Sequence, residues 1–360
     1  MLNGGYSIIV GKLEGKKRPP VVFFAVAFLA ILVVMFVANR RSSLVNEIRF
    51  PLNNGIANLS TFDNLLTAVS NDNKIYVWEW ADTSKKPREG VVESDQAALV
   101  TSDTVVSVQR TNPDCVVVSG LDADKSRREI PLPLGSNTAH LGVNRDRSRI
   151  VLLLARCNNE NCSRAKYDLL EVLTDAGQVR PIVTFDSEQS KLGHLSVSDD
   201  GNRIIVVGEK DSHGWMFVVD VREKRLEWQK EFPDLRKLFK AVFSSDGQTI
   251  YARGSDSMLL LIKTSSGELI DRLLPIEENK STYSVQAIQT VAASNNGNLV
   301  AAIVFSNIYV WDSKTREKLY TAESWHKVIS SMAFSTDSRF LATSDMRQGG
   351  KIRILRMPRH

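Results

Sequence analysis

The 360-residue chain has only three cysteines, Cys115, Cys157 and Cys162. A dense disulfide framework is excluded, and a chain of this length buries enough apolar surface to do without one. Metal and phosphate motifs are missing too: there is no His-Glu-x-x-His, no Cys-x-x-Cys and no Gly-x-x-x-x-Gly-Lys-Ser/Thr. No metal, cofactor or catalytic constellation is expected. The globular part also lacks an excess of either charge. Six of the 46 basic residues and one of the 41 acidic ones precede residue 42, which leaves 40 of each for the rest. A nucleic-acid-binding domain concentrates positive charge in its folded part, so nucleic acid is not an expected partner.

What the N-terminus has is one long apolar run. Residues 21–38 hold no charged or polar side chain, behind Pro19 and Pro20. As a helix, the run spans roughly 27 Å, close to the thickness of bilayer hydrocarbon. Proline is tolerated in the first helical turn. A cleaved signal peptide is the competing reading, but Phe36 stands where a small residue is needed and Arg40 and Arg41 follow. The expectation is a basic tail over residues 1–18 and an uncleaved single-pass helix over residues 19–41 in the lipid bilayer. The flanking charges place the N-terminus in the cytoplasm and the large domain on the non-cytoplasmic side, periplasmic or luminal.

Residues 42–360 repeat. Residues 140–150 and 194–204 share six of eleven positions, both starting at a histidine and passing through an aspartate turn. The same frame recurs at 240–250, 290–300 and 331–341, with weaker copies around Asp63 and Asp103. The turn residues are then Asp63, Asp103, Asp146, Asp200, Asp246, Asn296 and Asp337, spaced 40 to 54 residues apart. In each unit an alternating strand leads into the turn, an apolar strand follows, a third ends in a large apolar residue and a charge, and a fourth is polar. Four strands in 40–50 residues make a propeller blade. The last unit supplies only three strands, and residues 46–52 are predicted to add the fourth and cover its open edge.

The segments Ser335-Thr-Asp-Ser-Arg-Phe-Leu-Ala-Thr-Ser344 and Tyr309-Val-Trp-Asp-Ser-Lys-Thr-Arg-Glu-Lys-Leu319 resemble WD-repeat sequence. The resemblance covers residues 45–357 and is strongest in the last four units. Trp311-Asp312 matches the family dipeptide and Trp78-Glu79 comes near it; the Gly-His dipeptide is absent, with Trp325-His326 the nearest substitute. Asp72 and Asp256 stand where the family network has its aspartate. The resemblance implies a divergent, seven-bladed all-β propeller closed by the N-terminal strand. It also implies that the Asp turns lie toward the membrane and the opposite loops away from it.

His140 and His194 occupy the same repeat position, held elsewhere by Lys240, Thr290 and Ser331. Equivalent positions in successive blades do the same packing job, and no convergent partners are evident, so these histidines are not assigned a site. Trp78 and Trp311 are expected between blades. The loops that depart from the repeat are the candidate partner-binding elements. They are residues 156–166 with Arg156 and Arg164; residues 209–215 with Lys210, Asp211, His213 and Trp215; residues 275–283; Trp325 and His326; and residues 343–350 with Arg347. Cys157 and Cys162 flank a short hairpin connection, which serves a disulfide or free thiols equally. The expected function is a membrane-anchored scaffold or accessory subunit that binds protein partners in a membrane complex. The alternative is a propeller enzyme or small-ligand sensor with its site in the central channel.

Overall fold

The computed structural model describes residues 44–358 except 50–54, 110, 112, 123–126, 134, 158–163, 189, 257, 274–289, 305–306, 324–328 and 346–349. The expected anchor, residues 19–41, lies outside them; among the described residues no helix is long and apolar enough to cross a membrane.

Strand β1 (Leu44–Arg49) precedes the first blade. Blade 1 is β2 (Ile56–Phe62), β3 (Leu65–Ser70), β4 (Lys74–Glu79) and β5 (Arg88–Val91). Blade 2 is β6 (Ala97–Leu99), β7 (Thr104–Val108), β8 (Cys115–Gly120) and β9 (Arg128–Pro131). Blade 3 is β10 (Thr138–Val143), β11 (Ile150–Cys157), β12 (Arg164–Leu173) and β13 (Gln178–Glu188). Blade 4 is β14 (Ser190–Val197), β15 (Arg203–Lys210), β16 (His213–Asp220) and β17 (Arg225–Phe232). Blade 5 is β18 (Leu238–Phe243), β19 (Thr249–Gly254), β20 (Leu259–Lys263) and β21 (Leu269–Leu273). Blade 6 is β22 (Val291–Ala293), β23 (Leu299–Val304), β24 (Asn307–Asp312) and β25 (Lys318–Glu323). Blade 7 is β26 (Ile329–Phe334), β27 (Phe340–Asp345) and β28 (Lys351–Arg356), with β1 as its outer strand. All seven sheets are antiparallel, and the architecture is the expected seven-bladed propeller.

Sequence explains the strand order within a blade. Middle strands such as β15 and β16 carry β-branched and aromatic runs and are buried on both faces, because neighbouring blades cover both. Outer strands such as β17 are mostly exposed and polar. The described core divides into seven apolar clusters, each built from two adjacent blades. Trp78 and Trp311 are 3% and 2% exposed and belong to two of these clusters. Each stacks on a tyrosine two residues earlier, Tyr76 at 6.0 Å and Tyr309 at 5.9 Å.

The seam is sealed as the missing strand requires. Glu47 faces Arg353, Ile48 faces Ile352 and Arg49 faces Lys351. Ile48 packs into the cluster between blades 7 and 1. Three cations converge on Glu47: Arg49 at 3.0 Å, Lys351 at 3.1 Å and Arg353 at 3.1 Å. Burial alone raises the Glu47 carboxyl, but hydrogen bonds with Lys351 and Arg49 and the charges of Lys351 and Arg353 hold it at about 2.

All seven predicted turn residues lie between the first and second strands of their blades, and the structure adds a partner for most of them. Ser198 Oγ donates to Asp200 Oδ1 at 2.6 Å and accepts from the Arg203 N–H, while Asp200 accepts from the Asn202 N–H. The same bonds recur at Ser244 and Asp246, Ser294 and Asn296, and Ser335 and Asp337. Gly201, Gly247 and Gly297 follow with φ of 69°, 66° and 74°, the left-handed conformation that glycine adopts freely. Below, the side of the ring carrying these turns is the turn face, and the other side is the far face.

These turns make the fold acid-sensitive. The Ser244 hydroxyl and Gln248 N–H hold Asp246 below the usual carboxylate range, against its burial. At Asp200 and Asp337 burial pushes upward but is outweighed by the Ser198 and Ser335 hydroxyls and the following N–H groups. Depressed folded pKa values contribute stability above the unfolded value of about 4 and lose it as pH falls through the folded value. The thermal transition is therefore lower at acid pH than at neutral pH. Combining Glu47→Gln with Asp246→Asn costs about 1–2 kcal/mol at neutral pH and flattens the acid dependence. Melting curves across that range check this, and an unchanged slope in the double variant contradicts it.

Candidate functional site

Residues 209–215 are not a loop. Lys210 pairs with His213 across a two-residue turn, Asp211 and Ser212, whose φ values are 48° and 63°. Both residues are left-handed, as a tight hairpin turn matching strand twist requires. Trp215 lies inside β16 and is 2% exposed, packed in the cluster between blades 3 and 4. Its ring sits 5.2 Å from Phe217, which meets Phe185 edge-on at 4.6 Å. The expectation of Trp215 as a loop side chain is thus corrected: it is core. The exposed feature of the hairpin is its tip; Lys210 is half-buried, its ammonium 5.7 Å over the Trp215 ring and 3.0 Å from Glu231.

A groove of about 540 Å³ opens beside this hairpin, between the outer strands of blades 3 and 4. Phe185 and Leu226 supply apolar surface there, with Asp186, Glu188, Lys210 and Asp211 around them. Leu226 is 38% exposed.

Arg156 is committed to the fold as well. It forms an ion pair with Asp168, which is almost fully buried and accepts from Thr184 Oγ1 at 2.7 Å. β11 and β12 form the hairpin expected around Cys157, which pairs with Ala165. Cys162, the side chains of Cys157 and Arg164, residues 275–283, Trp325, His326 and Arg347 lie outside the described residues. Cys115 is a free thiol, pushed up to about 11 by burial and by Asp114. Asp72 and Asp256 both stand between the second and third strands of their blades. Asp256 pairs with Arg253 and Arg272.

The innermost strands carry a feature that the sequence shows only in part. Counting back from each turn along the ladder, His140, His194, Lys240 and Ser331 face Leu153, Val207, Arg253 and Ser344. Asn58, Gln96 and Thr290 hold the same level in blades 1, 2 and 6. Every blade therefore offers a polar side chain at one height on its innermost strand or immediately before it. Several reach the next blade. Gln96 Oε1 accepts from the Leu141 N–H at 3.0 Å. Lys240 Nζ donates to Thr290 Oγ1 at 3.0 Å. Ser331 Oγ accepts from the Leu59 N–H at 3.0 Å and donates to Asn58 Oδ1 at 3.1 Å. In four blades a β-bulge immediately precedes this residue, before Asn58, His194, Lys240 and Ser331. A bulge re-aims a side chain at a sheet edge.

Among the described residues no group of three or more His, Cys, Asp or Glu side chains forms a metal cage. Comparison with known proteins finds no matching family model and no similar curated protein. The class defined by the geometry is the seven-bladed β-propeller.

Proposed function

We propose that this protein is a single-pass membrane protein whose propeller, a divergent relative of the WD-repeat rings, serves as a protein-interaction scaffold or accessory subunit of a membrane complex. The observation that carries the reading is the groove between blades 3 and 4, a concave, partly apolar surface rimmed by charge beside an exposed hairpin tip. Such a surface suits a peptide or loop of a partner protein. The WD-repeat relationship is supported by the Trp311-Asp312 dipeptide on the third strand of blade 6 and by the stacked Tyr–Trp pairs. The anchor is supported by the apolar run over residues 21–38. On this reading the propeller stands on the non-cytoplasmic side.

Two linked measurements test it. Carbonate extraction leaves the full chain in the membrane fraction, whereas removal of residues 1–41 releases it. A photo-crosslinking residue at Asp211, beside the groove, gives a reproducible protein adduct in native membranes; one at Asp246, on the turn face, does not. Release of the intact chain by carbonate contradicts the anchor. Adducts at position 246 alone contradict the assigned face.

A further inference from the structure

The seven polar positions on the innermost strands are not equivalent in charge. His140, His194 and Lys240 occupy three consecutive blades, and no acidic residue holds this level in any of the seven. Lys240 has Thr290 Oγ1 as its hydrogen-bond acceptor, and among the described residues no carboxylate pairs with it. His194 and Lys240 are only half-buried by exposure, yet burial dominates the environment of both. The innermost strands of a closed propeller surround its central channel, and the half-exposed side chains of this level stand beside it.

Enclosing the Lys240 ammonium without a paired carboxylate is costly, because desolvation of an ammonium is repaid only by a well-placed opposite charge. Burial pushes Lys240 down to about 8, so it remains mostly cationic at neutral pH. Burial, Lys240 and His140 together hold His194 well below the usual histidine range. The arc thus offers one ammonium beside a neutral imidazole, a donor set suited to an oxyanion.

A further basic side chain stands at the turn face. Arg147, at the turn of blade 3, reaches past blade 2 to blade 1. Its Nη2 donates to the Thr61 carbonyl at 2.9 Å, and its guanidinium lies 5.6 Å over the Phe62 ring. Its Nε is buried without a hydrogen-bond partner.

We propose that the axial channel is a binding site for a small oxyanion, a phosphate or carboxylate group, held by His140, His194 and Lys240. This is independent of the scaffold reading: it concerns the axis, not the rim groove.

The test is isothermal titration of the full chain in detergent with inorganic phosphate and, separately, with succinate, at constant ionic strength. Saturable binding of at least one of them is expected, with a dissociation constant of about 1 mM or tighter. Lys240→Met weakens it about tenfold or more, and Lys240→Arg restores most of it. Which probe binds tighter separates a phosphate from a carboxylate ligand. Circular dichroism confirms that each variant is folded; if Lys240→Met is not, His194→Asn combined with His140→Asn carries the test. Absence of saturable binding of either anion by the folded chain overturns the proposal. So does binding that the folded arc variants leave unchanged, which places the anion elsewhere.

Discussion

Deleting residues 44–49 removes the cooperative unfolding transition of the propeller or shifts its urea midpoint to less than half. β1 pairs along its length with β28, and without it that strand becomes a long open edge. The deletion also uncovers the cluster containing Ile352 and Ile354 and leaves Lys351 and Arg353 without Glu47. Several ladder hydrogen bonds at about 1 kcal/mol each, with the burial of Ile48, amount to roughly 5 kcal/mol. That is a large share of the roughly 5–15 kcal/mol by which a domain is stable. In a closed ring the loss is not confined to blade 7, because each blade is the packing partner of two others. Urea titration followed by tryptophan fluorescence checks this; an unchanged midpoint would show that the seam carries no stability.

The second large effect concerns Trp215. Its replacement by alanine costs about 3–5 kcal/mol, the usual penalty for truncating a fully packed aromatic side chain. The cavity opens in the cluster shared by blades 3 and 4, beside Phe217 and Phe185. Partner recovery then falls only because the fold is damaged. Lys210→Ala makes the contrast: an exposed ion pair with Glu231 is lost, which costs under about 1 kcal/mol. A melting curve that moves by many degrees for Trp215→Ala and little for Lys210→Ala is expected. Equal transitions would return Trp215 to the surface.

These two cases show where the sequence is legible. The blades are readable because an aspartate or asparagine turn recurs and alternating strands flank it. The closing strand is readable because the last unit is one strand short, an argument from the unpaired edge rather than from local propensity. The 209–215 segment misleads for a local reason. Its turn is Asp211-Ser212, without the glycine that usually marks a left-handed two-residue turn, so the polar stretch resembles a longer loop. His213 and Gly214 in fact belong to β16 and carry Trp215 into the core.

The polar level on the innermost strands is half visible. Five of its members stand at one position of the clear repeats. Asn58 and Gln96 are hidden because the first two units diverge: blade 1 turns in two residues, and β6 has only three residues. Only the ladder register aligns them. A serine stands two residues before the turn acid at positions 198, 244 and 335, while Thr61, Thr101 and Asn144 take that place in the first three units. The serine hydroxyl donates to the turn acid and accepts from the N–H that opens the second strand.

The central claim is a ring whose two chain ends are joined by β1. Arg49 and Lys351 are directly opposed on neighbouring strands, and such residues lie about 4.5–5.5 Å apart, within disulfide reach. With the three native cysteines replaced by serine, mild oxidation of the Arg49→Cys, Lys351→Cys pair links the chain ends and changes its mobility on a denaturing gel. The offset pair Arg49→Cys, Arg356→Cys stays unlinked. Linkage of the offset pair, or of neither, contradicts the closure.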